Sequence, residues 1–302
     1  KPSNWNENHR VDDGPCLLGN TYAGPSGVTN ITLGAGLSLS GNILNSSGFG
    51  INIQAAPYGA TGDGVTDDTA AIQAALTAGA GSVVLIPEPS VFYKVTGSLT
   101  VPTGTTVLGL GSRPEIRLVR VTSSVVFDVT GKTDVTLDNL TIDGAKSTIS
   151  YSICVNIGAS SNNIHVQNCA IKNAKGQGVL ASAGASNIYV ENCSFINGAY
   201  IAIELNAVSN CFVRGNVFSG NAAFGVFATV GTYGGEYSQN YTEDSGLELI
   251  GIRYDCHDIK VIGNTAINCL DNGISVTGYN CTVTGNICHT NKGSGIHLYG
   301  SN

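Results

Sequence analysis

Short runs in which apolar and polar residues alternate recur along the second half of this chain. Asn163-Ile164-His165-Val166-Gln167-Asn168-Cys169 returns as Asn187-Ile188-Tyr189-Val190-Glu191-Asn192-Cys193, and more loosely as Asp258-Ile259-Lys260-Val261-Ile262-Gly263-Asn264. Period-two alternation rich in β-branched residues, closed by Gly or Asn, predicts short half-buried strands. Asparagines fall at 168, 192, 216, 240, 264 and 286, at steps of 24, 24, 24, 24 and 22 residues. A fixed period of this size means stacked repeats, each burying its apolar face against its neighbours. One turn of a parallel β-helix, with three short strands per coil, fits that period. Asparagine suits its tight corners because it tolerates left-handed backbone and hydrogen-bonds locally. Stacked coils would then align these side chains as a ladder.

Upstream, Ile31–Gly41 alternates at period two with Gly interruptions, and residues 1–50 form a separate extended piece. Such thin segments usually need a partner chain. A second unit covers residues 51–302. Its one convincing helix runs through Ala70-Ala71-Ile72-Gln73-Ala74-Ala75-Leu76, with Thr66 as N-cap, Asp67 and Asp68 in the first turn, and Gly79 and Gly81 as stops. Ile72, Ala75 and Leu76 form its apolar face, suited to closing the open end of the β-stack. Strands are expected at Ser82–Ile86, Phe92–Val95, Thr105–Leu110, Ile116–Val119 and Val125–Val129. The wider gap between Asn139 and Asn168 predicts an insertion near Lys146–Tyr151. The last residues stop just after a coil's first strand, so further sequence or a covering partner is expected there.

Composition narrows the class. Gly is 40 of 302 residues and charged residues are 12%, which fits a corner-rich β protein and not a disordered one. The net charge of −7 disfavours nucleic acid or an anionic membrane as partner. No apolar run is long enough to span a bilayer. Lys1 opens a chain without methionine, which reads as a processed or incompletely represented polypeptide. Nine cysteines include Cys169 and Cys193 at one repeat position, and Cys211 and Cys281 where sister coils carry Ile. They read chiefly as small core residues, although stacked coils would also bring such pairs within bridging range.

At Gly62–Leu76 the chain resembles the opening helix motif of the pectate-lyase-like right-handed β-helix superfamily, and in particular its bacteriophage tailspike and tail-fibre depolymerase branch. The resemblance covers residues 51–302, and the asparagine register supports it. It implies an all-β, right-handed parallel β-helix (a solenoid) with one N-terminal capping helix. It also implies a homotrimeric virion-tail appendage, assembled in the host cytoplasm, that binds and often cleaves a host surface polysaccharide. Residues 1–50 would then serve attachment to phage tail or baseplate proteins and trimerisation. The pectate lyase Trp-Ile-Asp-His signature is absent, since Ile142-Asp143-Gly144 lacks both Trp and His. Arg113-Pro114-Glu115-Ile116-Arg117 is one residue short of the lyase arginine motif. The polygalacturonase Asn-Thr-Asp, Gly-His-Gly and Arg-Ile-Lys motifs are missing too. The fold transfers, and those two activities do not.

Aligning coils on the asparagines lets outward columns be read. The column through Glu204 is expected to run Asp128, Asn156, Leu180, Glu204, Phe227, Arg253, Ser275, His297. The next is expected to run Thr130, Gly158, Ser182, Asn206, Thr229, Asp255, Thr277, Tyr299. A strip of Gly178, Ala202, Gly225, Gly251, Gly273 and Gly295 beside them would form a shallow groove. Glu204 and Asp255 are the candidate acid and base, two coils apart, at a spacing that side chains leaning together bring to the range of inverting glycosidases. Arg253 would hold one carboxylate ionised or bind a sugar acid, with Asn206 and Phe227 as further substrate contacts. The competing reading is a solvated charge cluster. The coil holding Tyr233, Tyr237 and Tyr241 breaks the apolar pattern, and these tyrosines are candidates to stack on sugar rings, against a surface excursion or subunit contact. His289 and His297 lack ligand spacing and no Asp-x-Asp-x-Asp loop occurs, so neither metal nor cofactor is expected. The expected function is a tailspike-type receptor-binding protein that hydrolyses polysaccharide. A non-catalytic adhesive appendage and a secreted bacterial polysaccharide lyase are the alternatives.

Overall fold

The computed structural model describes residues 37–40, 43–46 and 50–299, except 121, 245 and 254. It divides into two units, Lys1–Gly50 and Ile51–Asn302. In the first, Leu37–Ser40 pairs antiparallel with Ile43–Ser46. The second is a parallel β-helix of about ten turns, with one strand per turn in each of three sheets of 9, 10 and 10 strands. The first sheet runs from Leu99–Thr100 to Ile296–Leu298, the second from Ile51–Asn52 to Thr282–Thr284, the third from Asp63–Asp67 to Ile287–His289.

Alternation places the core. In Asn162–Gln167 and Ser186–Glu191 the buried residues are Ile164, Val166, Ile188 and Val190, and the residues between them face out. Rung upon rung, Leu137, Val166, Val190 and Val213 form one inward column. β-Branched residues suit such positions because their restricted rotamers pack on a pleated surface. The strands predicted upstream lie at Val83–Ile86, Phe92–Val95, Thr106–Gly109, Glu115–Leu118 and Ser124–Asp128. The eight cysteines among the described residues are free, and six are buried.

The asparagines divide into two columns. Asn139, Asn168 and Asn192 occupy the turn between second and third sheets with φ of 56°, 55° and 54°, and Gly215, Gln239, Gly263 and Gly285 continue that left-handed corner. Asn216 instead continues the inward column of Cys169 and Cys193, because its coil is one residue shorter, pairing Glu191 with Arg214. From there Asn216, Asn240, Asn264 and Asn286 form an internal amide ladder. Asn216 Nδ2 donates to Asn240 Oδ1 at 3.0 Å, Asn240 to Asn264 at 2.9 Å, and Asn264 to Asn286 at 2.9 Å.

The helix is Thr69–Ala78, and Ile72, Ala75 and Leu76 are its buried residues. It shields the end strand of the first sheet: Gln73 Nε2 donates to the Thr100 carbonyl at 3.0 Å and Gln73 Oε1 accepts from Thr100 N at 2.8 Å. Those two bonds replace the ladder that a further strand would supply. Its start differs from expectation. Asp63–Asp67 is a strand, so Thr66 is not the cap and Asp67 is not in the first turn. Asp68 holds the cap position, but its carboxylate turns back to accept from Thr61 N at 2.7 Å and Gly62 N at 3.1 Å. The acidic run thus ties the entering loop to the stack.

Candidate functional site

Backbone pairing fixes which side chains share the outer face of the first sheet. The column through Glu204 runs Asp128, Asn156, Leu180, Glu204, Phe227, Gly251, Ser275 and His297. Gly251, not Arg253, therefore sits two rungs from Glu204. Arg253 follows Thr229 in the column of Asn206, since Ala228 pairs with Ile252. Asp255 lies beyond the strand Glu248–Ile252 at a left-handed corner, φ 56°. The two-residue shift arises in one coil, where Phe224 pairs with Glu248. Leu249 thereby occupies the place assigned to Gly251 in the glycine strip.

That strip faces the interior. A Cβ on Gly178 would meet the Phe195 ring at 2.9 Å, and one on Gly225 would meet Leu249 Cδ1 at 3.1 Å. Phe195 and Phe218, stacked at 5.1 Å between centroids, fill the space that these glycines vacate. The missing side chains make room for core aromatics.

Around Glu204 the face is polar and aromatic. Gln177, 6% exposed, donates from Nε2 to Glu204 Oε2 at 2.6 Å. Tyr151 donates in turn to Gln177 Oε1. Its ring lies over Gly176, where a Cβ would overlap it. Burial raises the Tyr151 pKa, the Gln177 bond opposes this and the charge of Glu204 adds to it, so the phenol stays a donor at neutral pH. On the next rung Phe227 packs against Phe224 at 4.5 Å between centroids.

One functional candidate escaped the sequence reading. Glu248 is 1% exposed and accepts both Oε contacts from Arg253 Nη2, at 2.9 and 2.8 Å, with Asn272 Nδ2 on Oε1 at 3.1 Å. Gly251 permits this, because a Cβ there would approach Glu248 Oε2 to 3.0 Å. Burial raises the Glu248 pKa, and Asn272 and Arg253 only partly oppose it. A signal was available: Glu248 follows Ile201 and Phe224 of the two preceding coils, an acid where they carry apolar residues.

The tyrosines separate. Tyr233 is exposed beside the second sheet, stacked on His257 at 5.2 Å. Tyr241 is on the third sheet and bonds Glu243 at 2.9 Å. Tyr237 is a correction: it is 0% exposed, inside the core between Val213 and Val261, so it cannot touch substrate. The strand Tyr233–Ser238 pairs in parallel with Ser209–Arg214. Gly235, at φ 109°, is required because a Cβ would overlap the Cys211 backbone. The Tyr237 hydroxyl has no partner among the described residues, and burial lifts its pKa well up. Tyr237→Phe should therefore raise unfolding free energy by about 1 kcal/mol. A lower melting temperature for this variant in calorimetry would show that the hydroxyl is stabilising.

A family model described as rhamnogalacturonase A/epimerase, pectate lyase-like, matches residues 51–253. Glucan 1,3-beta-glucosidase of Cochliobolus carbonum is 51% identical over 67 residues, which make up 22% of this chain and 8% of that protein. This chain thus spans less than a tenth of that relative. The A-module of mannuronan C-5 epimerase AlgE6 from Azotobacter vinelandii aligns over 83% of this chain and 97% of its own, at 16% identity and a TM-score of 0.55. Full-length tailspike protein 2 of the Escherichia coli O157:H7 bacteriophage CAB120 aligns over 79% of this chain and 34% of its own, at 11% identity and a TM-score of 0.60. At such identities the two structures share a fold with this chain.

Proposed function

This chain belongs to the rhamnogalacturonase A/epimerase, pectate lyase-like family, and from that premise we propose that its first sheet binds a polysaccharide and hydrolyses it. The observation that carries this reading is Glu204 on the outer face, held by Gln177, with Phe227 on the next rung and Arg253 fixed in the neighbouring column. Glu248 lies two rungs on but pairs with Phe224, three residues before Phe227, and its side chain is 1% exposed. Asp255 lies beyond that strand at a left-handed corner.

The two glutamates do different work. Glu204 accepts the Gln177 amide, which orients its carboxylate on the face as the base that activates water. Glu248 is 1% exposed and accepts from Arg253 on both oxygens, so its part is to hold Arg253 at the face and not to meet substrate itself. Arg253, fixed by Glu248, and Asn206 share the column beside Glu204 and orient sugar hydroxyls or carboxylates. Phe227 offers an apolar surface to a ring. The working context is a homotrimeric tailspike-type appendage on a virion tail, acting on a host surface polysaccharide. The shared fold of the CAB120 tailspike supports that context.

The test is incubation of the protein with capsule and lipopolysaccharide preparations while reducing ends are measured. New reducing ends without ultraviolet absorbance are expected. An unsaturated, absorbing product would replace hydrolysis by elimination, and binding without cleavage would leave an adhesin.

A further inference from the structure

A groove of about 610 Å³ opens on the third sheet, beside the loop that carries the insertion of residues 144–151. Four of the chain's 14 lysines and arginines line it, Lys94, Arg117, Lys146 and Lys172, against one carboxylate, Asp143. In a chain of net charge −7, that concentration is not explained by composition. Lys94, Arg117, Asp143 and Lys172 occupy one outward column on successive rungs.

The negative partners are spent internally. The Asp143 side chain is 5% exposed, and it accepts from Ala145 N at 2.8 Å and from Asn173 Nδ2 at 3.1 Å while lying 3.4 Å from Arg117 and 3.7 Å from Lys172. Glu115 is 18% exposed and holds Arg117 at 2.5 Å and Lys172 at 2.8 Å. The other two cations rest on neutral oxygens, Lys94 on the Val65 carbonyl at 2.9 Å and Lys146 on Asn197 Oδ1 at 2.5 Å. Asp67 feels the charge of Lys94 but hydrogen-bonds to Thr69 and Thr96. Arg117 Cζ lies over the Phe92 ring, 3.9 Å from its centroid, a contact that restrains its fork.

We propose that this groove binds the acidic groups of a glycan, carboxylates or sulfates, at a site separate from the first-sheet face. Its volume lies within the usual range of ligand sites, roughly 300–1,000 Å³. Cations along one column repeat at ~4.8 Å or its multiples, on the order of one sugar residue. Asn173, Asn197, Ser147 and Thr148 on the same walls supply neutral donors and acceptors for hydroxyl groups. The site does not depend on hydrolysis at Glu204.

Titration calorimetry of the full chain with oligogalacturonate, heparin oligosaccharide and dextran, at low and high salt, tests it. Saturable, salt-sensitive binding of at least one polyanion is expected, with dextran unbound. Carboxylates are assigned if only oligogalacturonate binds, and sulfates if only heparin does. Removing Lys94 and Lys146 together, which touch neutral oxygens and leave the Glu115 network whole, should weaken binding about tenfold or more per charge. Glu204→Gln should leave it unchanged, which separates this site from the first-sheet reading. Equal binding of dextran, no binding of either polyanion, or full affinity in the Lys94→Ala, Lys146→Ala protein with native circular dichroism would overturn it.

Discussion

Replacing Asn240 by leucine should lower the unfolding free energy by about 3–5 kcal/mol, whereas Asn192→Ala should lower it by only about 1–2 kcal/mol. The two residues look equivalent in the sequence, each closing a coil 24 residues from the next asparagine. Asn240 is 1% exposed. Its Oδ1 accepts from Asn216 N at 3.1 Å and Asn216 Nδ2 at 3.0 Å, and its Nδ2 donates to the Val213 carbonyl at 2.8 Å and Asn264 Oδ1 at 2.9 Å. Every hydrogen-bonding position of that amide is used. Leucine would leave buried polar groups on both neighbouring rungs without partners, and each such loss costs about 1–3 kcal/mol. Asn192 is exposed at a corner with φ 54°, so alanine there chiefly adds left-handed backbone strain. Urea denaturation of both variants measures the difference, and equal losses would disprove the division into two columns.

Turnover of the cleaved polysaccharide should fall by about 10²–10⁴-fold in Glu204→Gln, with substrate affinity and melting temperature close to the parent. Glutamine keeps an oxygen to accept the Gln177 amide, whose contact with Glu204 measures 2.6 Å. Fold and face are thereby preserved while the titratable group is removed. A loss near the lower bound is expected if Tyr151 and Gln177 still hold a water in the base position. Undiminished reducing-end release by the variant would remove Glu204 from the chemistry and leave the first-sheet face as a binding surface.

The rung period and the strands were legible because alternation and β-branching act within a few residues, which any single coil displays. The apolar face of the helix was legible for the same reason, and Ile72, Ala75 and Leu76 are buried. The acidic run before it was misread because Asp68 bonds to Thr61 and Gly62, partners that its own segment brings close only once the stack has formed. Tyr237 was misread because a large polar-tipped residue enters the core only where Gly235 follows Cys211 in the adjacent column. No window of sequence displays that pairing.

By itself, then, the chain's sequence determined the repeat, the sheet-forming segments, the capping helix and the neighbourhood of Glu204. Only the tertiary structure decided the register between coils. It shortened one coil by a residue, so that Asn216 turned inward beneath Cys193. It also shifted the outward column by two residues, setting Gly251 in line with Phe227 and bringing Glu248 and Arg253 together as a pair. The physical reason is that a column is defined by backbone hydrogen bonds to the neighbouring rung. Corners differing by one or two residues change those bonds while leaving the pattern inside each strand intact.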